Sequence, residues 1–405
     1  MNETIIIADP DQYNKWFKFT LLFLVIEYGR PQDILPPLGY LMPGMIAALI
    51  LTAFIIASGK FKLSYSKQTK MIWLFITLLS IYIPLAVNNY QAYVATHDMI
   101  LFMPFILSTV ICVNSMDRLK KMIFVGICLM AYISAYGFLH QGRGSGNYFG
   151  DENDISLYIN MWLPFCFFLY SHEKEKLKKL IYLSGMILGV LCIVVSFSRG
   201  GFVGLVSTAV ISWLFSKKKM ISLLIIIVLA TVILLFANDA YWDRIASAQD
   251  TDEGTAKIRI ESWKAGWRMF LDNPLGVGGN NYQVRFPEYQ SDFFHRGMWG
   301  RVAHSLWFTL IPELGIFGIL IYFYLLKYNI SDIISLLKLP GSDPDILYLH
   351  SLSAAFIASI AGYFISGTFI SVLYYPHYWY ISGIIVAATR IGNKTLVNAG
   401  PTLRR

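Results

Sequence analysis

The sequence is short of charge. Only 14% of its 405 residues are Asp, Glu, Lys or Arg, against about 25% in ordinary soluble domains, and the shortfall excludes a soluble globular enzyme. Cysteine is scarce too. Cys112, Cys128, Cys166 and Cys192 all fall inside apolar runs, where a free thiol behaves as a small hydrophobe, so no disulfide framework is expected. No Gly-x-x-x-x-Gly-Lys-Ser/Thr loop, His-Glu-x-x-His pair or Cys-x-x-Cys pair occurs, which takes support from nucleotide hydrolysis, zinc hydrolysis and dithiol redox chemistry. Between the apolar runs no paired acidic motif suits a catalytic divalent metal, so neither a metal nor a cofactor is expected. Met1 to Trp16 carries Glu3, Asp9 and Asp11 and lacks a basic stretch followed by a cleavage site, so no signal peptide is expected there.

What the sequence does have is hydrophobic mass, 56% of its residues. It arrives in blocks of roughly 16 to 25 residues, the length an α-helix needs to cross about 30 Å of hydrocarbon. Twelve spans are read, at about 17–28, 38–58, 71–88, 98–114, 120–138, 154–171, 180–197, 201–216, 220–237, 303–326, 348–372 and 376–389. The expectation is an all-α polytopic transmembrane bundle forming one integral-membrane domain over 1–405. The net charge of +8 is strung out between apolar runs rather than gathered on one face for a phosphate backbone, so no nucleic-acid partner is expected. Orientation explains it instead. With both termini cytoplasmic, the inside connections of the first half hold Lys60, Lys62, Lys67, Lys70, Arg118, Lys120, Lys121, Lys174, Lys176, Lys178, Lys179 and Lys217 to Lys219, while the outside ones hold Arg30, Arg143 and Arg199. That is the positive-inside asymmetry.

One outside segment, 238–302, is far longer than the roughly 15 residues that loops rarely exceed without a purpose. Within it, Thr255 to Leu271 places Ile260, Trp263, Trp267, Phe270 and Leu271 on one helical stripe, with Lys257, Glu261, Lys264 and Arg268 opposite. Asn273-Pro274 ends that amphipathic helix. The glycine-rich turn Leu275 to Tyr282 follows, with Asn281 expected to face water.

Several residues could carry chemistry. Arg199, in Ser196-Phe197-Ser198-Arg199-Gly200-Gly201, lies at the outer edge of two apolar runs. A charge held there marks a pathway or site, or else snorkels between two spans. Arg259 opens the loop helix, one turn before Trp263. Its guanidinium fork suits phosphate, although the loop's charges nearly balance and a solvated polar face reads equally well. His304 follows Arg301 by three residues at the start of the tenth span. The two are expected on one helical face, with His304 either a general base or an interfacial histidine.

These residues resemble the O-antigen ligase and polymerase family of bacterial membrane glycosyltransferases. The resemblance rests on Ser198-Arg199-Gly200-Gly201, on Arg259, Trp263 and Asn273-Pro274-Leu275-Gly276-Val277-Gly278, and on Ala303-His304 leading into Pro312-Glu313-Leu314-Gly315. It spans roughly Gly146 to Leu325. Tyr28-Gly29-Arg30-Pro31 is reminiscent of a branch linked to exosortase-associated glycosylation. The resemblance implies a GT-C-like fold in the bacterial cytoplasmic (inner) membrane with its site facing the periplasm. It implies an inverting, metal-independent transfer of a glycan from a polyprenyl-diphosphate carrier to an acceptor hydroxyl on lipid A-core, another lipid or a protein. Arg199 and Arg259 would hold the diphosphate, with Arg301 and Arg285 as further candidates, and His304 would be the base. Ligases often place asparagine after that histidine, where this chain has Ser305. A repeat-unit polymerase and a protein O-oligosaccharyltransferase share the fold, and a lipid-linked sugar flippase is the alternative from another class. The orientation predicts that an impermeant thiol reagent labels Asn281→Cys but not Lys218→Cys from outside; the reverse result inverts the topology.

Overall fold

The computed structural model describes residues 13–146, 148–236, 254–294 and 299–398, which form helices joined by turns, with no strand among them. The long helices are α1 (Asn14–Gly29), α2 (Pro43–Ala57), α3 (Lys67–Tyr82), α4 (Asn89–Cys112), α5 (Met116–Leu139), α6 (Glu152–Leu169), α7 (Lys176–Val195), α8 (Arg199–Phe215) and α9 (Lys219–Phe236), then α10 (Gly254–Asp272), the short α11 (Tyr282–Tyr289), α12 (Leu306–Leu337), α13 (Pro344–Gly367) and α14 (Pro376–Asn398). Apart from α10 and α11, they fall on the twelve expected spans. Six stretches are long and apolar enough to cross a membrane by length and composition: Pro36–Ala57, Asn89–Cys112, Met116–Leu139, Lys176–Val195, Leu306–Leu337 and Pro344–Gly367. The chain is a polytopic helical membrane protein.

Burial sorts the helices into a centre and a rim. From Asp154 to Leu163, α6 is buried on every side, and α14 is buried from Pro376 through Thr389. Helix α6 packs against α13, α8, α7 and α5, and α14 against α4, α12 and α13, while α2, α8 and α9 turn large apolar side chains outward. Some polar side chains inside the bundle bond across helices, as polar groups between spanning helices commonly do. Asn329 of α12 donates to the Tyr378 hydroxyl at 3.1 Å and to Ser382 Oγ at 2.8 Å.

The connections fall into two groups that touch only within themselves in the contacts that follow. At one end, Ser198 meets Asn153, Tyr375 meets Asp154, Tyr374 meets Glu313 and Asn281 meets Asn88. At the other, Lys120 meets Asp345, Gln68 meets Asp332 and His172 meets Ser351. These are the groups that the charge asymmetry puts outside and inside respectively.

The joint between the long segment after α9 and the bundle lies on α12. Gly315, at φ 58° and ψ −157°, breaks that helix, and the exposed backbone groups pair with the glycine-rich turn. Val277 N–H donates to Pro312 C=O at 3.0 Å, Gly278 N–H to Glu313 C=O at 2.8 Å, and Ile316 N–H to Pro274 C=O at 3.0 Å. A Cβ on Gly315 would run into the backbone of Leu275, so only glycine fits the break. The buried Glu313 carboxylate completes the joint, accepting from Asn280 N–H at 2.9 Å, Tyr282 N–H at 3.1 Å and the Tyr374 hydroxyl at 2.6 Å.

Three expectations are corrected. Arg301 and His304 precede α12, which starts at Leu306 and runs on to Leu337, so they do not share a helical face. On α10 the buried stripe is Ser262, Ala265 and Met269, with Ile258 packed beside it, while Trp267 and Leu271 are exposed. The helix docks by its small residues, because Gly266 and Ala265 let it approach Tyr282 and Phe308 closely. Asn281 is fully buried, bonded to Asn88 and to Gly279 C=O. The labelling position therefore moves to the exposed Asp272: Asp272→Cys is expected to react from outside and Lys218→Cys is not. His295 lies outside the described residues.

Candidate functional site

Ser198 is the N-cap of α8, accepting from Gly201 N–H at 2.9 Å. Its hydroxyl donates to Asn153 Oδ1 at 2.6 Å. Asn153 in turn donates through its side chain and backbone to Asp151, the N-cap of α6, at 2.6 and 2.8 Å. Gly201 makes this closeness possible, since a Cβ there would sit 2.5 Å from the Ser156 Cβ. Two helix N-termini are thus laced side by side, with Arg199 as the first residue of α8. Helix N-termini carry partial positive charge and favour anions.

The second wall comes from the long segment between α9 and α12. Trp263 of α10 donates its indole N–H to Ala303 C=O at 3.1 Å and stacks on Phe308 with ring centroids 5.5 Å apart. This latch fixes the turn that carries His304, whose φ of 46° lies in the left-handed region. Ser305 is the N-cap of α12. Asparagine is an equally good N-cap, so the serine keeps the helix start that asparagine would supply.

Electrostatics joins the two walls. Burial pushes the Arg259 guanidinium below its ordinary value, and Arg199 and Arg301 push it further, with Asp151 opposing them. His304 is held down to about 4, first by burial and then by Arg259 and Arg301, again with Asp151 opposing. Arg199, Arg259, Arg301, His304 and Asp151 are therefore one interacting cluster with an excess of positive charge. Its imidazole is neutral at pH 7 and able to accept a proton. The Nε of Arg301 is buried without a hydrogen-bond partner among the described residues, a donor that an anion would satisfy.

Arg285 is set apart from this cluster. It pairs with Glu288 at 2.7 Å, donates to Asn273 Oδ1 at 3.0 Å and lies over the Tyr289 ring, bracing α11 against the end of α10. Asp151 is the member that sequence reasoning missed. Its position just before an apolar run marks it as a cap, and nothing in the linear sequence places it beside His304. Among the described residues no group of three His, Cys, Asp or Glu side chains is placed to hold a metal ion.

A left-handed backbone costs a side-chain-bearing residue about 1–2 kcal/mol and recurs where function demands it. His304→Gly is therefore expected to be more thermostable than His304→Val by an amount of that order, measured by thermal unfolding of the purified proteins. Equal stability of the two variants would show that the turn is not strained.

No curated protein matches the chain. Residues 184–323, the stretch holding Arg199, Arg259, Arg301 and His304, match the model of the family described as O-antigen ligase.

Proposed function

We propose that the protein is a glycosyltransferase that moves a glycan from a polyprenyl-diphosphate carrier to an acceptor hydroxyl, at the outer face of a bacterial cytoplasmic membrane. The observation that carries this reading is the gathering of Arg199, Arg259 and Arg301 around a neutral His304 at one end of the bundle. The family description supports it.

The chemistry follows from charge. The acceptor hydroxyl gives its proton to His304 as its oxygen bonds to the anomeric carbon. The bond from that carbon to the diphosphate oxygen breaks, and its electron pair leaves with the diphosphate. Guanidiniums and the α8 N-terminus hold the charge that develops there, the role that preorganised cations and dipoles play best. A single displacement inverts the anomeric centre. A diphosphate among the arginines also offsets the repulsion that holds His304 down, because an opposite charge favours the protonated form. Donor binding thus makes the imidazole a stronger base when it is needed.

The ligase reading is preferred to polymerisation because the cationic residues concentrate in one outside segment and the α8 start. In liposomes with a polyprenyl-diphosphate-linked glycan and an acceptor extract, mass spectrometry is expected to show donor consumed and a single-step mass gain on a lipid or protein. A ladder of repeats still on the carrier would mean polymerase; donor moved across the bilayer but not consumed would mean flippase. His304→Ala should abolish transfer and keep donor binding. Arg199→Ala and Arg259→Ala should each weaken donor binding about 10- to 100-fold, as loss of a charge-assisted hydrogen bond of about 1.5–3 kcal/mol implies. Activity falls as His304 gains its proton, so the acid limb of kcat should lie at higher pH than that of kcat/KM for the donor. Full activity in His304→Ala would overturn the base assignment.

A further inference from the structure

A second feature of the outer end has no part in the transfer chemistry. Between α1, α2 and α4 lies a cavity of about 240 Å³, walled by Glu27, Arg30, Gln32, Asp98, Phe102 and Tyr148 among others. That is room for several waters, or one sugar ring. Its walls are built from distant parts of the chain. Glu27 takes a hydrogen bond from the Tyr148 hydroxyl, and Arg30, with φ 47°, turns its Nε to Asp33 at 2.8 Å. Gly146 lies hard against that ion pair, where a Cβ would meet Arg30 Nε at 2.5 Å. The Tyr28-Gly29-Arg30-Pro31 motif and the turn before α6 thus form a single wall.

The lining decides the ligand class. Its polar groups include the oxygens of Glu27, Gln32 and Asp98, and its one cation, Arg30, is already engaged by Asp33, so the cavity offers acceptors rather than free cations and suits a partner that donates hydrogen bonds. Gln32 Oε1 is buried in this wall and has no hydrogen-bond partner among the described residues. Carboxylate and amide oxygens beside the aromatic faces of Phe102 and Tyr148 fit a hydroxyl-rich ring that is polar at its edge and apolar on its face. The cavity also adjoins the cationic cluster. Tyr148 packs on Tyr375 with ring centroids 5.3 Å apart, the Tyr375 hydroxyl donates to Asp154 at 3.3 Å, and Asp154 lies one helical turn from Asp151.

We propose that this cavity is a carbohydrate subsite that binds a sugar of the acceptor, one aromatic wall away from the cluster that takes the donor. Its role in transfer rests on the glycosyltransferase reading; its binding of sugar does not. Full-length protein in lipid nanodiscs, applied to a printed glycan array, is expected to bind a subset of neutral glycans. Glu27→Gln/Asp98→Asn should lose that binding about tenfold or more, as should Met45→Trp, which fills the cavity and leaves both carboxylates in place. His304→Ala should bind the array like wild type. In the transfer assay the cavity variants should raise KM for the acceptor about tenfold and leave kcat and donor binding within about twofold. Absence of array binding by wild type, or equal binding by the cavity variants, overturns the proposal. A fully active His304→Ala would overturn the transfer mechanism instead and leave the array result to decide the cavity.

Discussion

The Glu313 carboxylate is the contact on which the end of the bundle that carries the cationic cluster depends. It sits where α12 breaks, buried, and is fully engaged by two backbone N–H groups of the glycine-rich turn and one tyrosine hydroxyl of the connection before α14. Burying a carboxylate is costly unless such donors surround it, and this one is matched only when three separate parts of the chain are in place. The break at Gly315 supplies unpaired backbone groups, and the turn at Pro274 to Gly278 supplies their partners. From that joint α10 is carried back over the bundle, Trp263 reaches Ala303, and His304 is presented to the arginines. Two motifs more than thirty residues apart in sequence are halves of one structural element.

The cationic cluster is the converse case. Three guanidiniums gathered with one opposing carboxylate repel each other and depress the neighbouring imidazole, an arrangement that favours no folded state by itself. Its stability comes from the capped helix starts and the Trp263 latch, which hold the charges in place whether or not an anion is present. Strained backbone borders the cluster: Phe197 and His304, which adjoin the capping Ser198 and Ser305, both have positive φ.

Much of this was legible in the sequence, for physical reasons. Long uncharged runs have few alternatives to spanning helices, and the lysines between them marked which connections share an end. Ser198, Asp151 and Ser305 stand where helices begin because their oxygens satisfy otherwise unpaired backbone donors. What periodicity could not give was the direction in which α10 faces. Large apolar residues normally define a buried stripe, but here small residues allow the close approach, and Trp267 and Leu271 are left outside. The separation of Arg285 from the other arginines was equally hidden, since Glu288 and Asn273 become its partners only after the chain turns between α10 and α11. Asn281 looked like an open turn residue and is instead a buried bracket to the start of α4.

The outward-facing Trp267, Leu271 and Leu275 have a mechanical meaning. Indole rings settle at the headgroup level of a bilayer, and Leu275 adjoins Pro274, whose carbonyl is tied to α12 beside the exposed Ile316 and Phe317. The exposed apolar side of α10 therefore continues onto that of α12, the two joined at the Pro274–Ile316 contact. The seating of α10 on a bilayer surface sets the position of Trp263, and with it, through the indole bond to Ala303, the position of the turn that carries His304.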